Sequence, residues 1–316
     1  MKTITLGHSG LEVSELCLGI LPFGTKVDEE TSFAILDGYY EAGGRFIDTA
    51  NNYSKWHAGG VGTESETMLG TWMKARGNRG ELVVATKVGF NRDDIGPSLS
   101  RQTIEREMEG SLERLQTDYV DLYYTHADIR TDPLTETLGT LNDLVKTGKA
   151  RHVGCSNYLA WRIEEARWTS RTNGWVEFCC VQQRYTYLRP AAGATFGPQR
   201  HGNPDLIDYC REHEDFRMLA YTPLIAGAYT REDKQIPPQY HSNEMEERLR
   251  VLDEVAAETG ADRNMVIYAW LLQGEPRIIP LTAPTTLHQL AQNLKALDVR
   301  LSPEQIRRLT EAGNPT

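Results

Sequence analysis

The strongest constraint on how this chain folds is an alternation. Short apolar runs of strand character are separated by stretches with apolar residues at helical spacing, and the pattern occurs eight times along 316 residues. Strands are predicted at 15–18, 45–47, 82–86, 119–124, 151–155, 178–181, 217–220 and 277–280, each followed by a helix. A helix over 29–43 has Asp28 as its N-cap and Gly43-Gly44 as its stop. The next follows Thr63 and carries Met68, Leu69 and Trp72. The third has Ile104, Met108, Leu112 and Leu115 on one face. The fourth is expected to open with Asp132 as cap and Pro133 at its first position, with Leu134, Leu138, Leu141 and Val145 along its stripe. Helices over 158–171, 205–213, 244–259 and 262–273 follow, then one carrying Leu287, Leu290, Leu294 and Leu297. Ser302-Pro303-Glu304-Gln305 opens the last as a capping box. Ahead of the series, residues 4–13 read as a small hairpin with His8-Ser9-Gly10 as its turn.

Such a series predicts a parallel sheet covered by helices. Eight strands favour a closed (β/α)8 barrel of α/β class over an open doubly wound sheet. The open sheet also wants a GxGxxG turn after its first strand, which Gly19-Ile20-Leu21 does not supply. Gly60-Val61-Gly62 reads as a flexible turn. Composition shows no break, linker or repeat, so one domain over 1–316 is expected. The net charge of −10 argues against partners that present phosphate, both nucleic acid and anionic membrane. No run approaches the length of a membrane helix, and MKTITLGHSG has no signal-peptide character. Five cysteines without a CxxC disfavour both a disulfide framework and a zinc site, and fit a reducing cytoplasm.

The functional signal is positional. Asp48, Lys87, His126, Ser156, Asn157, Gln182 and Tyr221 each stand at or just past the end of a different predicted strand. A barrel brings those ends to one face. Each has an ordinary alternative: Asp48 as a turn residue, His126 as a core histidine, Ser156-Asn157 as caps of the next helix. The set is harder to explain that way than its members. A tyrosine with a free pKa of about 10 needs help to work as an acid near neutrality. An ammonium beside it lowers that pKa, and Lys87 is the candidate. Asp48 would hold Lys87; two charges ~4 Å apart interact by about 4 kcal/mol at an effective dielectric of ~20. A neutral His126 would orient a carbonyl. Protonating an oxygen while hydride reaches its carbon is carbonyl reduction, and hydride requires a cofactor. The amides of Asn157 and Gln182 suit a nicotinamide carboxamide, and Tyr221 offers a stacking face.

The chain resembles the aldo-keto reductases over nearly its whole length. The resemblance rests on GHSGLEVSELCLG, on Phe46-Ile47-Asp48-Thr49-Ala50 with Tyr53, and on Ser65-Glu66 and Leu69-Gly70. It continues through ATKVG, DLYYTH, GKARHVGCSN, Gln182-Gln183-Arg184-Tyr185 and Ala220-Tyr221-Thr222-Pro223-Leu224. It implies a barrel that binds an extended nicotinamide cofactor, a small-molecule carbonyl substrate, and a tetrad of Asp48, Tyr53, Lys87 and His126. Tyr53 would be the proton donor. Ser156, Asn157 and Gln182 would hold the carboxamide, Tyr221 would stack on the nicotinamide, and Leu224 and Gly227 would follow the pyrophosphate. Gln289 and Asn293 match the adenine contacts.

Two positions depart from the family pattern. Gly19-Ile20 stands where Gly-Thr is common. Thr285 stands where an arginine or similar group usually meets the 2′-phosphate. Both NADP and NAD are therefore carried as cofactors. Trp56 and His126 are the expected substrate contacts. His57 follows Trp56, and the loop over 186–204 adds Phe196, Arg200 and His201, a mixture that suits a sugar or polyol or only closes the barrel. A nicotinamide-binding regulatory subunit, like the channel β-subunits that resemble this family, is the alternative to an enzyme. A metal-dependent hydrolase is the weakest reading, because His126 is almost alone as a strand-end histidine.

Overall fold

The computed structural model describes residues 1–90 and 96–314. A hairpin of β1 (Thr3–Thr5) and β2 (Glu12–Ser14) precedes the main body. The barrel strands are β3 (Cys17–Gly19), β4 (Phe46–Asp48), β5 (Val83–Val88), β6 (Val120–Thr125), β7 (Ala150–Ser156), β8 (Phe178–Arg184), β9 (Arg217–Tyr221) and β10 (Ile279–Thr282). They close in the order β10-β3-β4-β5-β6-β7-β8-β9, and every pairing is parallel. The fold is thus a (β/α)8 barrel.

The helices are α1 (Glu29–Glu41), α2 (Glu64–Arg76), α3 (Arg101–Leu115), α4 (Leu134–Lys146), α5 (Ala160–Thr172), α6 (Pro204–Glu212), α7 (Met245–Thr259), α8 (Arg263–Gln273), α9 (Leu287–Lys295) and α10 (Pro303–Glu311). Asp28 caps α1 by accepting from the Thr31 amide, and Ser302 and Gln305 form the capping box of α10.

Two apolar clusters follow from the alternation of strand side chains. One packs strands against helices. The other fills the barrel with Phe46, Leu122, Tyr124, Leu219 and Ile279, and Ile4, Leu6, Leu11 and Val13 of the hairpin join it. At Gly7 a Cβ would stand 2.1 Å from the Asp215 carbonyl oxygen, so only glycine fits there. Gly154 faces the barrel interior, where a Cβ would meet the Tyr124 ring at 2.8 Å. The five cysteines are buried and free.

Three expectations need correction. α4 begins at Leu134 with Pro133 at its cap position, and the Asp132 carboxylate serves another segment, accepting from Ser98 Oγ and the Leu99 amide. The eighth barrel strand runs to Thr282, not to Pro280. Gly60-Val61-Gly62 is pinned, because the Glu64 carboxylate accepts from the amides of Val61 (2.6 Å) and Gly62 (2.9 Å).

Candidate active site

β4 ends at Asp48, and a turn of buried residues carries the chain to Tyr53. β5 carries Lys87 one residue before its end. Lys87 is fully buried. Its Nζ donates to Asp48 Oδ2 at 2.5 Å, to Tyr53 Oη at 2.6 Å and to the Thr49 carbonyl at 2.7 Å. All three ammonium hydrogens are thereby used. The Tyr53 oxygen accepts from the ammonium, so its own proton points elsewhere; Asp48 Oδ2 lies 3.3 Å away.

Burial pushes the Lys87 ammonium below its usual range, against the pull of Asp48. Burial, and then the Asp48 carboxylate, push the Tyr53 phenol well above 10. The expected lowering of the Tyr53 pKa by Lys87 is therefore not what the resting site gives. The phenol stays protonated at neutral pH, as an acid must before it reacts.

His126 follows β6 and is buried. Its amide donates to the Val88 carbonyl at 2.7 Å. Its ring lies 4.5 Å from Phe90 and 5.9 Å from Tyr53, centroid to centroid. Burial and the Lys87 charge hold it well below 6.5, so the imidazole is neutral. Its Nδ1 is buried without a hydrogen-bond partner among the described residues.

Further groups brace this core. Thr49 Oγ1 and Ser65 Oγ lie 2.7 Å apart, and Ser65 Oγ donates to the Ile20 carbonyl at 2.9 Å. The buried Glu66 accepts from Thr86 and, at 2.7 Å, from Arg114 Nε. The turn to Tyr53 is tied down where Asn51 Nδ2 donates to Glu107 Oε2 at 2.7 Å.

The strand-end amides have partners that spacing cannot reveal. Gln182 Nε2 donates to Asp48 Oδ1 at 2.7 Å, so this glutamine holds the other oxygen of the carboxylate that binds Lys87. Asn157 adopts a left-handed φ of 61°, which asparagine tolerates. Its Nδ2 donates to the His126 carbonyl (2.9 Å) and Ser156 Oγ (3.1 Å). Its Oδ1 accepts from the Arg200 amide (3.0 Å) and from Tyr221 Oη (2.7 Å). Neither Ser156 nor Asn157 caps α5, whose cap position is Leu159.

Past β9 the backbone is strained. Thr222 (φ 57°), Ile225 (φ 47°), Ala226 (φ 53°) and Gly227 (φ 91°) are left-handed, and a β-branched residue there is a genuine outlier. Strain of this kind gathers at ligand sites, and left-handed turns present amide N–H groups to anions. Leu224 lies within this segment. At the far end, Thr285 donates to Gln289 Oε1 from its amide (2.8 Å) and its hydroxyl (3.1 Å). Asn293 Nδ2 donates to Thr282 Oγ1 at 2.6 Å.

A cavity of about 650 Å³ opens beside His126's neighbours Phe90 and Ala127. Trp56, Pro97, Ile129 and Pro198 complete its apolar wall, and Asn52, Lys55, Asp128, Asn157 and Arg200 supply polar groups. The loop residues separate here. Arg200 lines the cavity, whereas Phe196 and His201 pack on each other and on Tyr240. Phe90, Asn52 and Asp128 do not stand out in the sequence. The one signal they carry is their place one to four residues from a strand-end or tetrad residue.

The half-buried His201 imidazole is pushed down by loss of water around the ring to about 4. The unfolded chain then binds a proton near pH 6.5 that the folded chain refuses. Stability from this group is complete above pH 6.5 and is lost as pH falls toward 4. Between pH 6.5 and 5 the loss is about 2 kcal/mol. Urea unfolding of wild type and His201→Asn at both pH values checks this. An identical pH dependence in the two proteins would refute it.

The comparisons with known proteins agree with the geometry. Residues 15–314 match the family model described as the aldo/keto reductase family. The chain belongs to that family. It is 32% identical to norsolorinic acid reductase stcV of Emericella nidulans, over 94% of this chain and 78% of that protein. It is 32% identical to the aryl-alcohol dehydrogenase [NADP(+)] of Phanerodontia chrysosporium, over 96% of this chain and 83% of the relative. Among solved structures, the thermostable aldo-keto reductase Tm1743, crystallised with the inhibitor epalrestat, superposes with a TM-score of 0.77 at 27% identity. That match covers 99% of this chain and all of the other. The fold, the family and these relatives support an oxidoreductase that acts on carbonyl compounds.

Proposed function

We propose that this protein is a nicotinamide-dependent reductase of aldehydes or ketones, also able to oxidise the alcohols, with Tyr53 as proton donor. One observation carries the reading: a buried ammonium, Lys87 Nζ, lies 2.6 Å from a phenol oxygen and 2.5 Å from a carboxylate. The Tyr53 phenol gives its proton to the carbonyl oxygen. The Lys87 ammonium stabilises the phenolate left behind, and Asp48 keeps that ammonium charged within the protein. Neutral His126 orients the carbonyl from the side of Phe90. Alcohol oxidation runs the same proton backwards.

The residues present fit a nicotinamide dinucleotide. The strained turn at Thr222–Gly227 suits a pyrophosphate along Leu224 and Gly227. The side-chain carbonyl oxygen of Gln182 accepts from no described residue and so is available to a carboxamide N–H. Ser156, Asn157 and Gln182 would hold that carboxamide, Tyr221 would stack, and Gln289 and Asn293 would meet adenine. When bound, the cofactor supplies or accepts hydride. Asn157 has its amide fully engaged, so a carboxamide would have to replace one partner; the 3.1 Å contact to Ser156 Oγ is the longest of the four. Thr285 brings a hydroxyl where an arginine would pair bidentately with phosphate, which supports use of NADH beside NADPH. The relatives named above are reductases and dehydrogenases, which favours an enzyme over a regulatory subunit.

The test is absorbance at 340 nm with aldehydes, ketones and sugars, with each cofactor, alongside Kd for both. Oxidation of at least one cofactor by a carbonyl compound is the expected result. A Kd for NADPH far below that for NADH would overturn the cofactor part alone.

A further inference from the structure

The wall of the cavity says which carbonyl compounds fit. Among the described residues, three charged ones line it: Lys55, Asp128 and Arg200. Asp128 is already neutralised, since it accepts from Arg130 Nε at 2.7 Å and from Arg162 Nε at 3.1 Å. Lys55 has an interaction of its own. Arg200 differs. Its backbone is anchored, with the amide donating to Asn157 Oδ1 at 3.0 Å and the carbonyl accepting from the Arg184 amide at 3.1 Å. Its guanidinium has no hydrogen-bond or ion-pair partner among the described residues.

Arg200 is an exposed residue that lines the cavity, and an unpaired guanidinium on a fixed backbone there can receive an anion. This matters in a chain with a net charge of −10, where carboxylates are plentiful and none among the described residues has been given to Arg200. Apart from Asn52 and Asn157, the remaining described wall, led by Trp56 and Phe90, is apolar. A polyol would leave most of its hydroxyls unpaired against such a surface. An aromatic ring would not.

Resting on the reductase reading above, we infer that the preferred substrate is an aromatic aldehyde or ketone bearing a carboxylate, which Arg200 pairs while the ring lies between Trp56 and Phe90. A planar carboxylate matches the two-pronged guanidinium, and a charge-assisted pair favours it over a neutral ester of the same shape.

The experiment compares 4-carboxybenzaldehyde with its methyl ester, using the cofactor that the wild-type enzyme consumes faster. The free acid should have a kcat/KM about tenfold above the ester, chiefly through KM. Added salt should narrow the gap. Arg200→Gln should bring the ratio close to one, and Arg200→Lys should retain part of it. Equal kcat/KM for acid and ester in the wild type would overturn the inference. So would an R200Q variant that keeps the full preference. If R200Q instead raises the cofactor Kd and leaves the ratio alone, Arg200 serves the cofactor and the inference fails. If neither compound, nor any other carbonyl, oxidises cofactor, the failure is that of the reductase reading itself.

Discussion

Replacing Tyr53 with phenylalanine should lower kcat for carbonyl reduction by about 10²–10⁴-fold while the cofactor Kd changes little. The change removes one oxygen from a buried ring and keeps the edge-on contact with His126, whose centroid is 5.9 Å away. The barrel should therefore fold normally. What is lost is the proton donor and one acceptor of the Lys87 ammonium, which still holds Asp48 and the Thr49 carbonyl. Stopped-flow absorbance at 340 nm gives the rate, and quenching of protein fluorescence by the dinucleotide gives the Kd. Wild-type turnover in Y53F would remove Tyr53 from the chemistry. Lost cofactor binding would show that the residue holds the dinucleotide instead.

The second large effect is on stability as well as rate. Lys87→Met leaves Asp48 as a carboxylate with no exposed surface, facing Gln182 but no cation. Orphaning one member of a buried ion pair costs about 3–5 kcal/mol, whereas removing both members costs far less. K87M should thus lower Tm by roughly 5–10 °C. The double variant Asp48→Asn with Lys87→Met should recover much of that loss while remaining inactive. Calorimetry separates the two. If the double variant is no more stable than K87M, the penalty comes from packing around the lysine stem and not from the stranded charge.

Much of the architecture is legible in the order of residues alone, for a simple reason. A buried parallel strand is short, apolar and followed by an amphipathic helix, and both periods survive in the sequence. The positions of Asp48, Lys87, His126 and Asn157 follow from the same pattern, because the last residues of such strands point out of the barrel mouth. Where sequence and fold part, local rules meet tertiary context. Asp132-Pro133 has the form of a helix start, yet the carboxylate is taken by Ser98 and Leu99 from a preceding loop. Pro280 reads as a strand end because it lacks a donor, but β10 continues through it, paired with Ala220 of β9 and then with Cys17 and Leu18 of β3.

The side-chain amides are the least legible. An amide at a strand end is equally able to serve a ligand, a cap or a neighbour. Only the folded chain shows that Gln182 is committed to Asp48 and that Asn157 joins His126, Arg200 and Tyr221. The pKa of Tyr53 likewise lies beyond the sequence. Proximity of a lysine argues for a lowered value, but the sign depends on how deeply the group is buried, which residue order does not tell.

The bond from Gln182 to Asp48 has a consequence for how the molecule is assembled. In the closed order of strands, β4 and β8 stand four places apart in a ring of eight, on opposite sides of the barrel. Their side chains meet across its full width, although 134 residues separate them in the chain. The charged centre is thus a tie bar spanning a diameter. A half-barrel, however well its own strands pair, has only one anchor of that bar. The carboxylate acquires its full set of partners only where β8 stands opposite β4, so the charged centre depends on both sides of the cylinder at once.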